Sequence, residues 1–82
     1  MLIMKVCVLF FGATAEAVGE REIECSIADT DSASQLVRKI AADHPALGNL
    51  KLLFAINEEY VAPEASLNDG DKLAVFSAVS GG

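Results

Sequence analysis

The 82-residue sequence predicts an α+β domain, one mixed sheet of about five strands with a single main helix on one face. Three observations lead there. Apolar and β-branched runs of strand length recur at 3–11, 51–57 and 72–79. One segment, beginning at Ser32, carries a helix-start signal followed by an apolar period of helical spacing. No repeat, linker or low-complexity stretch divides the chain, so residues 1–82 read as one domain. A chain of this size hides only ~60–65% of the surface that its unfolded form exposes, which leaves little room for an internal active site.

The elements follow in order. Residues 3–11 form the first strand, and Gly12 and Gly19 bracket a connection long enough for a loop or one helical turn. In 20–27, Glu20, Glu22 and Glu24 alternate with Arg21, Ile23 and Cys25, the pattern of a half-exposed edge strand. Ser32-Ala33-Ser34-Gln35 has capping-box spacing, in which the serine hydroxyl and the glutamine side chain satisfy free amides at a helix start. Leu36, Val37, Ile40 and Ala41 then share one stripe of the helix, and Pro45 ends it. His44, just before that proline, is placed for its imidazole to meet the free carbonyls of the helix end. Residues 51–57 read as the third strand, 57–59 as a turn, 60–62 as a short fourth strand, 67–71 as a loop with a tight turn, and 72–79 as the last strand.

Composition narrows the function classes. Twelve acidic against six basic residues give a formal charge of −6, which argues against nucleic acid and for a positively charged protein partner. Hydrophobic residues make up 52% of the chain, more than a small core needs, so some apolar surface is expected to face a partner. The opening apolar run is too short to span a membrane, and Lys5 interrupts it with no positive charge ahead, so it reads as a strand rather than a leader and the protein as cytoplasmic. Cys7 and Cys25 are too few for a zinc or iron–sulfur site. They read as two reduced thiols, with a cross-strand disulfide as the alternative if the first two strands face them together. His44 has no ligand at metal spacing, and Asp69-Gly70-Asp71 is a turn rather than a cation loop. No metal site and no stably bound cofactor are expected.

A sheet covered by one helix leaves its other face open. The phase of Lys5 puts Cys7, Leu9 and Phe11 on one face of the first strand, and the phase of Lys72 puts Ala74, Phe76 and Ala78 on one face of the last. If the lysine-bearing phase is the uncovered one, Leu9, Phe11 and Phe76 form an apolar docking surface continuous with the residues behind the strand. Burial under loops is the alternative.

Those residues are Val79-Ser80-Gly81-Gly82, expected to be a flexible tail. A terminal diglycine has no side chain to offer, so the Gly82 carboxylate is its candidate reactive group. Glycine also lets such an end thread a narrow slot in another protein. A tail of small residues is equally the ordinary end of a domain, and the diglycine by itself does not decide between them.

Lys5-Val6-Cys7-Val8-Leu9-Phe10-Phe11-Gly12 leading to Glu16 and Gly19, then Ala55-Ile56-Asn57-Glu58-Glu59-Tyr60-Val61, then Leu67-Asn68-Asp69-Gly70-Asp71-Lys72-Leu73-Ala74-Val75-Phe76, and finally Gly81-Gly82, carry a resemblance across the whole chain. In this order and spacing the sequence resembles the ubiquitin-like sulfur carriers, in particular the small subunits of molybdopterin synthase. The resemblance implies the β-grasp fold and a protein that is not catalytic alone. It implies that an activating enzyme spends ATP with Mg²⁺ to adenylate Gly82, and that a sulfur donor converts the adenylate to a thiocarboxylate. The large synthase subunit, in a heterotetramer, would then receive the tail and pass its sulfur to cyclic pyranopterin monophosphate. Gly81 and Gly82 would be the reacting end, and Leu9, Phe11, Phe76, Ala78, Val79 and Ser80 the partner-binding residues. Members of the family often carry Pro-Pro after the last strand's aromatic residue; here Phe76 is followed by Ser77-Ala78-Val79-Ser80, which leaves the backbone dihedrals there less restricted. The length of the 12–19 connection favours the molybdopterin branch over the thiamine carriers. Rival readings are a carrier for thiamine, cysteine or tRNA thiolation, a modifier attached to lysines through Gly82, or a plain β-grasp binding module.

Overall fold

The computed structural model describes residues 3–28 and 31–78. Five strands, β1 (Ile3–Phe10), β2 (Glu22–Ala28), β3 (Leu52–Ile56), β4 (Glu59–Val61) and β5 (Lys72–Ser77), make one sheet in the order β2-β1-β5-β3-β4. The central pair β1 and β5 is parallel and every other pairing is antiparallel, so the sheet is mixed as expected. Parallel neighbours require a long crossover, and the segment between them supplies it with α2 (Ala33–Asp43) and the short α3 (Pro45–Gly48). The alternating strand β2 lies at an edge of the sheet, as its charge pattern predicted.

The core lies on one face only. Val6, Val8 and Phe10 of β1, Leu73 and Val75 of β5 and Phe54 of β3 pack against Ala33, Leu36 and Val37 of α2 and against Leu47 and Leu67. Ile40 and Ala41 border that cluster, so the helical stripe read from the sequence is the buried one. The capping box forms as spelled: Ser32 Oγ accepts from the Gln35 amide at 3.3 Å, and Gln35 Oε1 accepts from the Ser32 amide at 2.8 Å.

Several local expectations are corrected. The 13–18 segment is a six-residue helix, α1 (Ala13–Val18), rather than a loop or a single turn. Two glycines make it possible. Gly12 has φ 58° with ψ −125°, and Gly19 has the left-handed φ of 85° while its amide donates to the Ala15 carbonyl. Pro45 ends α2 and also opens α3 at its first turn, where a missing N–H costs nothing. At His44 it is the backbone N–H, not the imidazole, that donates to the Ala41 carbonyl. Strand limits also shift by a residue or two: β2 runs from Glu22 to Ala28, β3 begins at Leu52, and β4 runs from Glu59 to Val61.

Cys7 and Cys25 cannot be joined. Cys25 pairs with Val6, and Cys7 pairs with Glu24, so the two thiols point to opposite faces and both are free. The Asp69 and Asp71 carboxylates serve the backbone instead of a cation. Asp69 Oδ1 accepts from the Lys5 amide at 2.8 Å, while Asp71 accepts from the Asn68 amide and from Asn57 Nδ2.

Candidate functional site

Strand register assigns the open face. Leu9 pairs with Ala74, Ala74 with Ala55 and Ala55 with Tyr60, a row of apolar side chains across four strands. One step along, Phe76 pairs with Leu53 and carries Phe11 on its other side. The lysine-bearing phase is therefore the uncovered one. Phe11 is 46% exposed, and Leu9, Phe76 and Ala78 are half-buried, so none of these side chains is sealed under a loop.

Around Leu9, Phe11, Ala55, Tyr60, Ala74 and Phe76 the surface dips into an open cleft of about 710 Å³. Its polar end is made by Lys72, Asn57 and Glu58. Asn57 and Glu58 both have positive φ, 50° and 72°, as the two-residue turn joining β3 to β4 requires. Asn57 is held there by its amide, which donates to the Lys72 carbonyl at 2.9 Å, and by its Oδ1, which accepts from the Lys72 amide at 3.1 Å. Glu58 gains no such local bond, so its conformation follows from the turn around it.

The aromatic end is built from three rings. Phe11 and Phe76 stack with ring centroids 4.9 Å apart and planes 11° from parallel, and Tyr60 tilts against Phe76 at 6.0 Å. Beyond β5 the Ala78 amide donates to the Lys51 carbonyl at 2.6 Å, which continues the β3 pairing by one more rung. Of the sequence-derived site, Leu9, Phe11 and Phe76 are brought together and Ala78 lies next along the chain. Val79, Ser80, Gly81 and Gly82 lie outside the described residues.

Two residues of this face escaped the sequence: Tyr60, 74% exposed, and Leu53, 45% exposed. Leu53 belongs to an unbroken apolar run, Leu52 to Ile56, in which only the burial of Phe54 on the core side fixes its phase. Thr14 is a third. It is fully buried at the start of α1, and its hydroxyl bonds to Phe11 and Val75.

Cys7 lies on the open face and Cys25 on the core side. Burial first, and then the Glu22 carboxylate, push the Cys7 thiol up, with Lys72 opposing; burial alone raises Cys25. Neither is an activated nucleophile. Among the described residues no three His, Cys, Asp or Glu side chains converge as metal ligands, and no helix is long and apolar enough to cross a membrane.

A mixed five-stranded sheet wrapped on one face around a helix, with a bare apolar face behind, is the ubiquitin-like β-grasp architecture. At 17% identity the fold matches ubiquitin from Caldiarchaeum subterraneum with a TM-score of 0.65, over 99% of this chain and 100% of that one. The chain belongs to the ThiS family, whose model matches residues 8–82. It is 36% identical over 83 aligned residues to the molybdopterin synthase sulfur carrier subunit of Chlamydomonas reinhardtii, an alignment covering 96% of this chain and all of that protein. It also resembles a chain in the complex of subunits 1 and 2 of the molybdopterin-converting factor from Helicobacter pylori, at 26% identity and a TM-score of 0.65, over 96% of this chain and 100% of that one.

Proposed function

We propose that this protein is the sulfur carrier of a molybdopterin synthase, a protein-bound reagent whose Gly82 carboxylate is loaded with sulfur and spent on a pterin precursor. The observation that carries this is the near full-length similarity to molybdopterin synthase sulfur carrier subunits, within a family match that runs through Gly82. A carboxylate is a poor electrophile, so loading needs activation. An adenylating enzyme would join the Gly82 carboxylate to the α-phosphate of ATP, with Mg²⁺ and loss of pyrophosphate, and a sulfur donor would then displace AMP. The resulting thiocarboxylate is ionised at neutral pH, and its sulfur is a better nucleophile than a carboxylate oxygen.

The tail would next enter the large synthase subunit and give its sulfur to cyclic pyranopterin monophosphate, where the dithiolene is built. Acid–base groups for that step would belong to the large subunit. The open face, with Leu9, Phe11 and Phe76 at its centre, would be the docking surface, extended by Ala78, Val79 and Ser80 toward Gly81 and Gly82. Support comes from its continuity: the stacked pair lies at the end of β5 from which the tail departs. The Helicobacter pylori complex supports a large subunit as the partner.

The test is the intact mass of the protein purified from its own cells. A gain equal to exchange of one oxygen for sulfur, localised to Gly82, is the expected result. Failure to load when supplied with ATP, activating enzyme and sulfur donor would overturn the proposal, and conjugates to other proteins through Gly82 would replace it with a modifier.

A further inference from the structure

Among the described residues three polar or charged side chains are buried, and of these Thr14 alone has no exposed surface at all. Thr14 is 0% exposed, at the second position of α1, beneath the point where β1 leaves the sheet. Its Oγ1 accepts a hydrogen bond from the Phe11 amide at 2.9 Å. The same oxygen lies 2.8 Å from the carbonyl oxygens of Phe11 and of Val75, and shares its single proton between them. The regular ladder between β1 and β5 ends at Phe10 paired with Val75, and the direct bond that follows, Phe11 amide to Val75 carbonyl, is stretched to 3.4 Å. The hydroxyl thus takes the place of the next rung.

What it ties together matters more than the bond itself. Phe11 is one ring of the stacked pair, and Val75 immediately precedes Phe76, which is the other. We infer that Thr14 is the positioning residue of the docking face: it clamps the backbones of Phe11 and Val75, so that the two rings stand stacked and half-exposed before any partner arrives. This rests on the docking role proposed above for Phe11 and Phe76. A valine of the same shape would fill the space but leave the Phe11 amide and the Val75 carbonyl only their stretched 3.4 Å bond to each other, and the end of β1 would be freer to swing Phe11 off Phe76. Pre-arrangement of this kind raises affinity by lowering the ordering cost of binding.

The experiment compares the wild-type chain with Thr14→Val, Thr14→Ser and Phe11→Leu. In the free chains it reads the ring-current shifts of Phe11 and Phe76 and the exchange rate of the Phe11 amide; in a titration it reads affinity for the large synthase subunit. Thr14→Val is expected to lose the mutual ring-current shifts and to bind about tenfold more weakly, with Thr14→Ser close to wild type in both. Unchanged ring-current shifts in Thr14→Val would overturn the inference and leave the docking role standing. Unchanged affinity in Phe11→Leu would instead remove Phe11 from the docking surface. Should Thr14→Val not fold, Thr14→Ala is read in its place: mutual ring-current shifts lost there and kept in Thr14→Ser support the inference, and shifts unchanged in Thr14→Ala overturn it.

Discussion

Phe11 and Phe76 stack nearly parallel at 4.9 Å on the face of the sheet that no helix covers. The two residues lie at opposite ends of the chain and meet because β1 and β5 run parallel at the centre of the sheet. An aromatic pair of this kind is commonly buried. Here it is left half in solvent, beside an apolar row from Leu9 to Tyr60. Such a surface costs solubility unless something covers it.

Phe76→Glu should weaken binding to the large subunit by about 3 kcal/mol, because a carboxylate placed in an apolar contact finds no partner there. The free chain should lose no more than ~1.5 kcal/mol, the worth of an aromatic pair. Calorimetric titration beside thermal unfolding separates the two, and an affinity equal to wild type would take Phe76 out of the contact.

Gly82→Ala, or one residue added beyond Gly82, should abolish thiocarboxylate formation in a reconstituted loading reaction followed by mass spectrometry. Stability should change by less than ~0.5 kcal/mol, since every core residue of the described structure lies between Val6 and Val75. Normal loading of either variant would count directly against Gly82 as the reacting end.

Stability itself should respond unequally at the N-terminal cap of α2 and at the buried side chain of α3. Ser32→Ala removes one half of the capping box and should cost about 1 kcal/mol in denaturant unfolding. Leu47→Ala empties a fully buried position between helix and sheet and should cost about 2–5 kcal/mol. If the cap proved the costlier, the packing assigned to α3 would be wrong.

The two thiols should be slow to alkylate at neutral pH and should form no intramolecular disulfide on mild oxidation. Both have pKa values raised in the folded state, so the native chain holds the thiol proton more tightly than the unfolded one. Their contribution is therefore complete below the ordinary thiol pKa and falls as pH rises through the raised values. Replacing both by serine should flatten the alkaline limb of a stability–pH curve, and an unaltered limb would assign it to other groups.

The resemblance to sulfur carriers and the order of the strands and main helix were legible in the sequence because they are written in near neighbours. The capping box spans four residues, the edge-strand alternation from Glu20 to Cys25 spans six, and the phase of Leu9 and Phe11 follows from Lys5 nearby. Local signals also misled where one residue serves two elements. Pro45 stops α2 and starts α3, and only the stop is apparent from the helix before it.

Amino-acid order alone thus determined which segments become the five strands and the main helix α2, which side chains share a face, and the family to which the chain belongs. Tertiary structure decided which face is covered, that Tyr60 and Leu53 join the open one, and that Cys7 and Cys25 point apart. It also decided what Thr14 touches, since the Val75 carbonyl that its hydroxyl meets lies 61 residues along the chain. The physical reason is the same throughout. Periodicity and capping depend on backbone geometry within a turn or a strand, whereas register and burial are set when distant strands pair, and a slip of one residue in that pairing would exchange the two faces.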